Sequence, residues 1–259
     1  MLKINNFSFL YPNGKKAVSN LTLNVEKGDL YAFIGHNGAG KTTTIKSIVG
    51  ILDFTDGEIL IDGMSIKEKA LECKKVIAYL PDNPDLYNSL TGIQYLNFIS
   101  DVFKISKNDR KELIEYYANE FGLLDSLNMM ISSYSHGMKQ KLALIAAFIH
   151  KPKLLIMDEP FVGLDPKATF IVKKMMKEFC ERGGAIFFST HILEVAQKLC
   201  NKIAIIKEGK LIIEGKMEEV TKELSLEDVF MEFLPEEFVV SIKEFQILHF
   251  HFLKKFLDN

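Results

Sequence analysis

The sequence predicts an α/β fold with a mainly parallel sheet, and two patterns carry this prediction. Short, solidly apolar runs recur along the chain, and segments whose apolar residues have helical spacing lie between them. Such runs are typical of parallel strands that are buried on both faces, and their alternation with helices indicates an α/β sheet. The predicted strands of this sheet are residues 30–34, 154–157, 185–188 and 203–206, and the predicted helices are residues 41–52, 167–182 and 192–199.

The remaining segments suggest how the chain is organised. Further predicted strands in the opening third are residues 2–9, 21–25 and 57–62. Later, strand patterns give way to helical spacing, which predicts a helical subdomain at about residues 88–150, inserted between strands of the sheet. The pattern changes again at Leu234-Pro235. We therefore expect one main domain at residues 1–233 and a tail at residues 234–259.

Composition and charge exclude several classes of protein. The chain has 259 residues, 47% of them apolar and 25% charged, which is typical of a globular protein that buries its own core. Its net charge of −2 argues against a general nucleic-acid binder, which would carry a strongly basic face. The start lacks a signal-peptide pattern, and the longest charge-free run, residues 86–100, is shorter than the roughly 20 residues that span a membrane. We expect a chain that is not secreted and does not cross a membrane by itself.

The strongest local pattern follows the predicted strand at residues 30–34. The motif G-x-x-x-x-G-K-[ST] is matched by Gly35-His36-Asn37-Gly38-Ala39-Gly40-Lys41-Thr42-Thr43. Glycines let backbone N–H groups curl around phosphate oxygens, and a helix N-terminus adds partial positive charge. The alternative, an ordinary glycine-rich turn, is disfavoured by the strand before it and the helix after it. We expect a phosphate-binding loop, with Lys41 at the β- and γ-phosphates and the Thr42 hydroxyl on Mg²⁺.

Two carboxylates follow the predicted strand at residues 154–157. The carboxyl end of a buried parallel strand opens on the ligand crevice. Asp158 is therefore placed to hold Mg²⁺ through water, and Glu159 to orient and polarise an attacking water. Taken alone, an acidic pair after a strand is most often a solvated loop or a helix cap. The phosphate loop in the same chain reverses that preference.

A third predicted strand, at residues 185–188, is closely followed by His191. A lone histidine is usually structural. This one lies at a strand end in a sheet that already holds two site elements. We therefore expect it to contact the γ-phosphate.

These elements together resemble an ATP-binding-cassette (ABC) ATPase. The tripeptide Ser135-His136-Gly137 looks like part of the family's signature loop, which normally contains L-S-G-G-Q. The segment around Asp165 looks like the family's D-loop, and Tyr11 lies where the family places an aromatic residue that stacks on adenine. The resemblance covers about residues 2–233 and uses six motifs in the family's order.

The resemblance implies a fold and an activity. The fold would be a P-loop NTPase core with a mainly parallel sheet, an N-terminal antiparallel β subdomain and an inserted helical subdomain. ATP and Mg²⁺ would be the ligands and ATP hydrolysis the activity, with Glu159, His191 and Lys41 as catalytic residues. Nucleotide would also contact Tyr11, residues 35–43, Ser135, His136, Gly137 and Asp165, and the metal would be held by Thr42, Asp158 and Asp82.

The resemblance also implies partners. The phosphate loop of one subunit would face the signature loop of another, so that two ATP molecules lie in a head-to-tail homodimer or in a heterodimer with a related cassette. Transport would require separate polytopic membrane subunits. Residues 82–91 would be the coupling surface, and the alternative is that they form a plain surface loop. The chain would then be cytoplasmic and peripheral on the inner face of the cell membrane. Nucleic acid is not an expected partner.

Three positions depart from the family's motifs. His136 replaces the signature's first glycine and Met138 its glutamine, whereas the serine and the second glycine remain. The family's Q-loop glutamine falls at Asp82, which can still approach Mg²⁺ through water. Such variants, together with residues 139–142 and 225–230, resemble the bacterial export-type branch of the family.

Other functional classes use parts of the same pattern. A soluble ABC-type ATPase that serves assembly or repair stays open, although the sequence shows neither the large coiled-coil insertion nor the second cassette expected of it. A regulatory cassette without hydrolysis is disfavoured by Glu159 and His191. A GTPase is disfavoured because no N-K-x-D motif occurs. The apolar tail at residues 238–259 either packs on its own domain or a dimer mate, or docks on a membrane or its subunits.

Overall fold

The computed structural model describes residues 1–222 and 224–232. The predicted tail at residues 234–259 lies outside the described residues, so both hypotheses on it stay predictions. The strands are β1 (Leu2–Leu10), β2 (Lys16–Val25), β3 (Leu30–Ile34), β4 (Asp56–Ile61), β5 (Met64–Ser65), β6 (Ile77–Leu80), β7 (Leu154–Asp158), β8 (Ala185–Thr190), β9 (Lys202–Lys207) and β10 (Lys210–Lys216).

The described strands form two sheets. The smaller sheet has the order β2-β1-β4-β5, and its neighbours are antiparallel. The larger sheet has the order β10-β9-β3-β8-β7-β6. Its strands are parallel except for the β9–β10 hairpin. The predicted α/β fold with a mainly parallel sheet is confirmed.

Helices flank both sheets and are concentrated between β6 and β7. They are α1 (Lys41–Ile48), α2 (Ala70–Val76), α3 (Gly92–Val102), α4 (Lys107–Glu120), α5 (His136–Ile149), α6 (Pro166–Glu181), α7 (Leu193–Leu199), α8 (Met217–Thr221) and α9 (Leu226–Glu232). Five of them directly follow a residue whose side chain accepts a hydrogen bond from a backbone N–H, namely Thr91, Ser106, Ser135, Asp165 and Ser225. Among the described residues, no helix has both the length and the apolar character that a membrane span requires.

The larger sheet separates two apolar cores. Side chains of β3 alternate between them, because successive residues of a strand point to opposite faces. Ala32 and Ile34 lie in the core that contains α5 and α6, whereas Tyr31 and Phe33 lie in the core shared with the smaller sheet and α1. All five residues of β3 are buried, so this strand holds the loop that follows it on a rigid base.

Several predicted bounds differ from the structure. The predicted helix at residues 41–52 ends at Ile48, because Gly50 adopts a left-handed conformation with φ of +68° and its N–H bonds back to Ser47. Strands β5, β6 and β10 are additional to the predicted set. Three helices, α3, α4 and α5, lie within the region predicted as a helical subdomain.

Candidate functional site

A cavity of about 310 Å³ opens where β3 and β7 end. The two strands are separated only by β8 in the sheet, so their carboxyl ends lie close together. The cavity is lined by Tyr11, Lys15, Ala17, His36, Asn37, Gly38, Gly40, Lys41, Thr42, Thr43, Asp82, Asp158 and Glu159. Most of the predicted nucleotide and metal residues therefore line one cavity, and Lys15 and Ala17 join them without having been predicted.

The backbone of the phosphate loop requires glycine at two positions. A Cβ atom on Gly35 would lie 2.4 Å from the carbonyl oxygen of Ile206. Gly40 combines a φ of +108° with a similar approach, since its Cβ would lie 2.6 Å from the carbonyl oxygen of Ala17. The backbones of β9 and of the start of β2 thus lie too close to these two positions for a side chain to fit. The N-terminus of α1 follows directly, where anions are favoured.

The Lys41 side chain is buried at the centre of this loop. Its Nζ donates hydrogen bonds to the carbonyl oxygens of Gly35, at 2.6 Å, and His36, at 3.3 Å. Burial lowers the pKa of the Lys41 amine, while the nearby carboxylates of Glu159 and Asp158 raise it. The amine lies 3.9 Å from Glu159 Oε1, so one cation joins the loop to the acidic pair.

Ser189 organises the acidic pair, and sequence analysis did not single it out. Its hydroxyl donates a hydrogen bond to Asp158 Oδ1 in the buried base of the site. The N–H of Glu159 lies 3.1 Å from Ser189 Oγ and 3.2 Å from its carbonyl oxygen. Glu159 has a φ of +48°, which few residues other than glycine adopt, and the two contacts with Ser189 hold it there. The one sequence pattern that could have indicated Ser189 is its position directly after the predicted strand at residues 185–188, two residues before His191.

The side chain of Glu159 lies between two basic groups. Its Oε2 is 3.0 Å from His191 Nδ1, and its Oε1 faces Lys41. The carboxylate is mostly buried, whereas the histidine is largely exposed. His191 therefore contacts Glu159, which lines the cavity, but does not line the cavity itself.

The oxygen ligands of the cavity fit a magnesium ion that is shared with phosphates. The exposed Thr42 hydroxyl, Asp158 and Asp82 all line it. Mg²⁺ is a hard cation that is usually held by one or two carboxylates together with waters and substrate phosphates. In residues 1–222 and 224–232, no three His, Cys, Asp or Glu side chains form a metal cage on their own. The donor set thus suits Mg²⁺ bound together with a nucleotide.

Tyr11 lies at the rim of the cavity next to α1. Its hydroxyl is 2.9 Å from Thr43 Oγ1, and its ring meets the Phe9 ring edge-on at a centroid distance of 4.9 Å. Both contacts fix the orientation of the ring. A half-buried aromatic ring at this rim can stack on a flat ligand group.

The signature residues are not part of this cavity. Ser135 caps α5, and its Oγ accepts a hydrogen bond from the N–H of Met138 at 3.2 Å. His136 packs against Gly163, where an added Cβ would lie 2.4 Å from the imidazole Cδ2. Gly137 also approaches this loop closely, since its own Cβ would lie 2.8 Å from the carbonyl oxygen of Gly163. His136 stands where the family's signature motif has its first glycine. Its ring is accommodated here because it packs against Gly163, which has no side chain.

A second contact joins the same two segments one helical turn further along. Lys141 Nζ lies 2.7 Å from Asp165 Oδ2, and this hydrogen bond lowers the pKa of the Asp165 carboxyl. Asp165 also caps α6 by accepting the N–H of Ala168 at 2.8 Å. The predicted signature loop and D-loop therefore contact each other, and neither lines the cavity.

Comparison with known proteins decides the family. A family model described as "ABC transporter" matches residues 18–162, which is more than half of the chain and includes the phosphate loop and the acidic pair. The chain belongs to the ABC transporter family. The relatives of this chain within the family are named as ATP-binding proteins.

Two relatives of this ABC protein come from Bacillus subtilis (strain 168), and both are described as uncharacterized ABC transporter ATP-binding proteins. YxlF is 38% identical over 208 residues, which are 80% of this chain and 68% of YxlF. YhcH is 36% identical over 200 residues, which are 77% of this chain and 65% of YhcH. The chain thus spans about two thirds of the length of these relatives.

Solved structures share the fold of this ABC protein. An ATP-binding subunit of an ABC transporter superposes with a TM-score of 0.86 at 32% identity, covering 90% of this chain and 98% of that subunit. The ATP-binding cassette MJ0796, solved as a dimer in a post-hydrolysis state bound to ADP and Pi, superposes with a TM-score of 0.76. It is 24% identical and covers 84% of this chain and 99% of that cassette, which shows the common fold.

Proposed function

We propose that this ABC protein binds ATP with Mg²⁺ in the cavity beside α1 and hydrolyses it, with Glu159 as the general base. One observation carries the proposal: the phosphate loop, the metal-type oxygen donors and a carboxylate placed between Lys41 and His191 all meet at one cavity. The family membership supports ATP as the nucleotide.

Each group then has a defined task. The loop N–H groups, the start of α1 and Lys41 hold the β- and γ-phosphates, because all of them present positive charge or donors to anions. Thr42, Asp158 and Asp82 would hold Mg²⁺, which when bound neutralises charge on the phosphate oxygens. Glu159 accepts a proton from water while the oxygen of that water bonds to the γ-phosphorus. The bond between the γ-phosphorus and the bridging oxygen breaks, which releases ADP and phosphate. His191 orients Glu159 through the 3.0 Å contact. It lies beside the cavity, and its proposed contact with the γ-phosphate would form when ATP is bound.

A complete site would need a second cassette. Ser135 and Gly137 lie away from the cavity of their own chain, where they are free to meet the nucleotide of a partner. The ADP-bound dimer of a cassette with this fold supports such an arrangement. We propose a head-to-tail homodimer, or a heterodimer with a related cassette, in which ATP closes the interface and hydrolysis reopens it. The ATPase domain would comprise residues 1–233, with the helical subdomain at about 88–150.

An exposed aromatic cluster supports a transport role. Tyr87 and Phe98 meet edge-on at a centroid distance of 5.6 Å and are 57% and 43% exposed, and Val102, one turn further along α3, is 57% exposed. Exposed apolar groups that are contiguous mark contact surfaces. We propose that this cluster, with residues 82–91, docks on separate membrane subunits and powers export from the inner face of the membrane. The relatives named as transporter proteins favour this role over a soluble assembly or repair ATPase.

Membrane association should depend on a partner and on this cluster. When the chain is co-expressed with a polytopic protein encoded beside its gene, we expect it to sediment with membranes, and without that partner to stay in the supernatant. Replacing Tyr87 and Phe98 by Ser should abolish sedimentation, because the docking surface loses its apolar contacts. Tyr116→Ser, which removes a 53% exposed aromatic ring from α4, is the matched control and should sediment normally. A chain that binds neither membranes nor such a partner would return the soluble ATPase as the better hypothesis.

Nucleotide affinity should depend on the ring of Tyr11. We expect Tyr11→Ala to weaken ATP binding by about 1–2 kcal/mol, or roughly five- to thirtyfold in Kd, because stacking on adenine is lost. Tyr11→Phe keeps the ring and loses only the hydroxyl bond to Thr43, so its Kd should stay close to that of the wild type. Isothermal titration measures both, and equal affinities for the Ala variant and the wild type would contradict the assignment. Stacking does not distinguish base edges, so GTP should bind almost as well as ATP.

A further inference from the structure

Helix α9 contacts the phosphate loop through one aromatic ring. The rings of Phe230 and His36 lie with their centroids 4.8 Å apart and their planes at 49°. His36 is the second residue of the loop and lines the nucleotide cavity. The contact therefore joins the last described helix, far along the chain, to the part of the protein that would hold phosphates.

The helix that carries Phe230 is itself well anchored. Its first turn is closed by Ser225 and Asp228, each of which accepts the backbone N–H of the other. The N–H of Leu226 bonds to Gln197 on α7 at 3.0 Å, and Leu226 and Val229 are buried in the core beside α7. Phe230 is thus presented to the loop from a fixed base.

On the other side of the contact, the backbone of His36 contacts Lys41, which also bonds to the carbonyl oxygen of Gly35. The His36 carbonyl oxygen accepts hydrogen bonds from Lys41 Nζ at 3.3 Å and from the Ala39 N–H at 3.1 Å. Unlike Gly35 and Gly40, which are confined by neighbouring backbone, His36 projects an exposed side chain against Phe230. If the ring contact with Phe230 holds the backbone of His36 in place, loss of that contact would let this carbonyl shift, and with it the amine that is proposed to bind phosphate.

We propose that Phe230 is a positioning residue for the phosphate loop: its ring fixes His36, and α9 thereby sets the affinity of the loop for nucleotide phosphates. This inference deepens the proposed function and rests on nucleotide binding at the loop. Because coupling between two binding events is reciprocal, bound nucleotide should in turn stabilise α9 against its neighbours. A partner that displaces α9 would weaken nucleotide binding without touching the cavity.

The test is a double-mutant cycle on the full chain, with ATP and Mg²⁺ titrated by calorimetry. Phe230→Ala should raise the Kd by about two- to twelvefold, the range that corresponds to one lost aromatic contact, and KM should rise more than kcat falls. In a His36→Ala background the same change should have no further effect, because the contact is already gone. Phe179→Ala, which removes a half-buried ring from α6 that contacts Phe148, is the control and should leave the Kd unchanged.

Two further measurements keep the outcome decisive. If the Ala variant fails to fold, Phe230→Leu replaces it in the test, because leucine keeps most of the apolar volume but has no ring. Phe230→Leu should still raise the Kd for ATP. Hydrogen exchange of the amides of α9 should slow when ADP is added to the wild type, and not in Phe230→Ala. An unchanged Kd in a folded Phe230 variant, or an equal increase with and without His36, would overturn the inference. A wild type that binds no ATP would instead overturn the proposed function.

Discussion

Glu159→Gln is expected to lower the rate of ATP hydrolysis by about 10²–10⁴-fold, the usual contribution of a positioned general base. Glutamine has nearly the size of glutamate and can still hydrogen-bond to His191, but it cannot accept a proton from water. The backbone of residue 159 should be unaffected, since Ser189 contacts its N–H and not its side chain. Steady-state phosphate release measures the rate.

The same variant should keep its affinity for ATP. Lys41, Thr42 and the loop backbone are unchanged, so the Kd should stay within about threefold of the wild type. ATP that is bound and not hydrolysed should hold the proposed dimer together, which size-exclusion chromatography would detect as a complex of twice the mass. Asp158→Asn is the matched control among the two carboxylates, and it should weaken the Mg²⁺ dependence of binding as well as the rate. Hydrolysis by Glu159→Gln at nearly the wild-type rate would show that another group is the base.

Most of this site could be predicted from the sequence because its parts are local. The predicted strand at residues 30–34 has the same bounds as β3. A run of five apolar residues is typical of a parallel strand that is buried on both faces, and all five are buried in the structure. The loop that follows is determined by glycines at fixed intervals, and the acidic pair by its place at a strand end. Short-range chemistry is enough to identify such elements.

Strands β6 and β10 show where local patterns fail. Ile77–Leu80 has only four residues and continues directly from α2, so its apolar run does not separate a strand from the end of a helix. β10 is an edge strand with Lys210, Glu214 and Lys216 along it, and its residues alternate between exposed and half-buried. Edge strands carry such charges to prevent further pairing, which removes the apolar pattern that prediction depends on.

The contacts that organise the site could not be predicted from sequence spacing. Ser189 contacts Asp158 across two neighbouring strands, and the ring of Phe230 contacts His36 from almost two hundred residues further along the chain. His136 illustrates the limit best. In the sequence, His136 is only a residue that departs from the signature motif. The fold shows that its ring packs on Gly163. Tertiary structure creates these contacts, and no local propensity encodes them.

Lys41→Met is expected to have the largest effect on nucleotide affinity. The lysine presents the charged donor at the centre of the phosphate loop, and a hydrogen bond to a charged group contributes about 1.5–3 kcal/mol. Methionine has a similar length and no charge, so we expect the Kd for ATP to rise by roughly 10- to 150-fold and hydrolysis to fall to background. The fold should tolerate the change, because it replaces a buried cation whose pKa is already lowered by burial.

Comparison of nucleotides makes this prediction specific to phosphate binding. Lys41 is proposed to contact the β- and γ-phosphates, so the variant should lose affinity for ATP and ADP while binding AMP as weakly as the wild type does. The preference for ATP over AMP should therefore collapse. Lys46→Met, in the last turn of the same helix and outside the cavity, is the control and should keep that preference. If Lys41→Met bound ATP within about twofold of the wild type, this amine would not bind phosphate, and its role would be to hold the loop together through the carbonyl oxygens of Gly35 and His36.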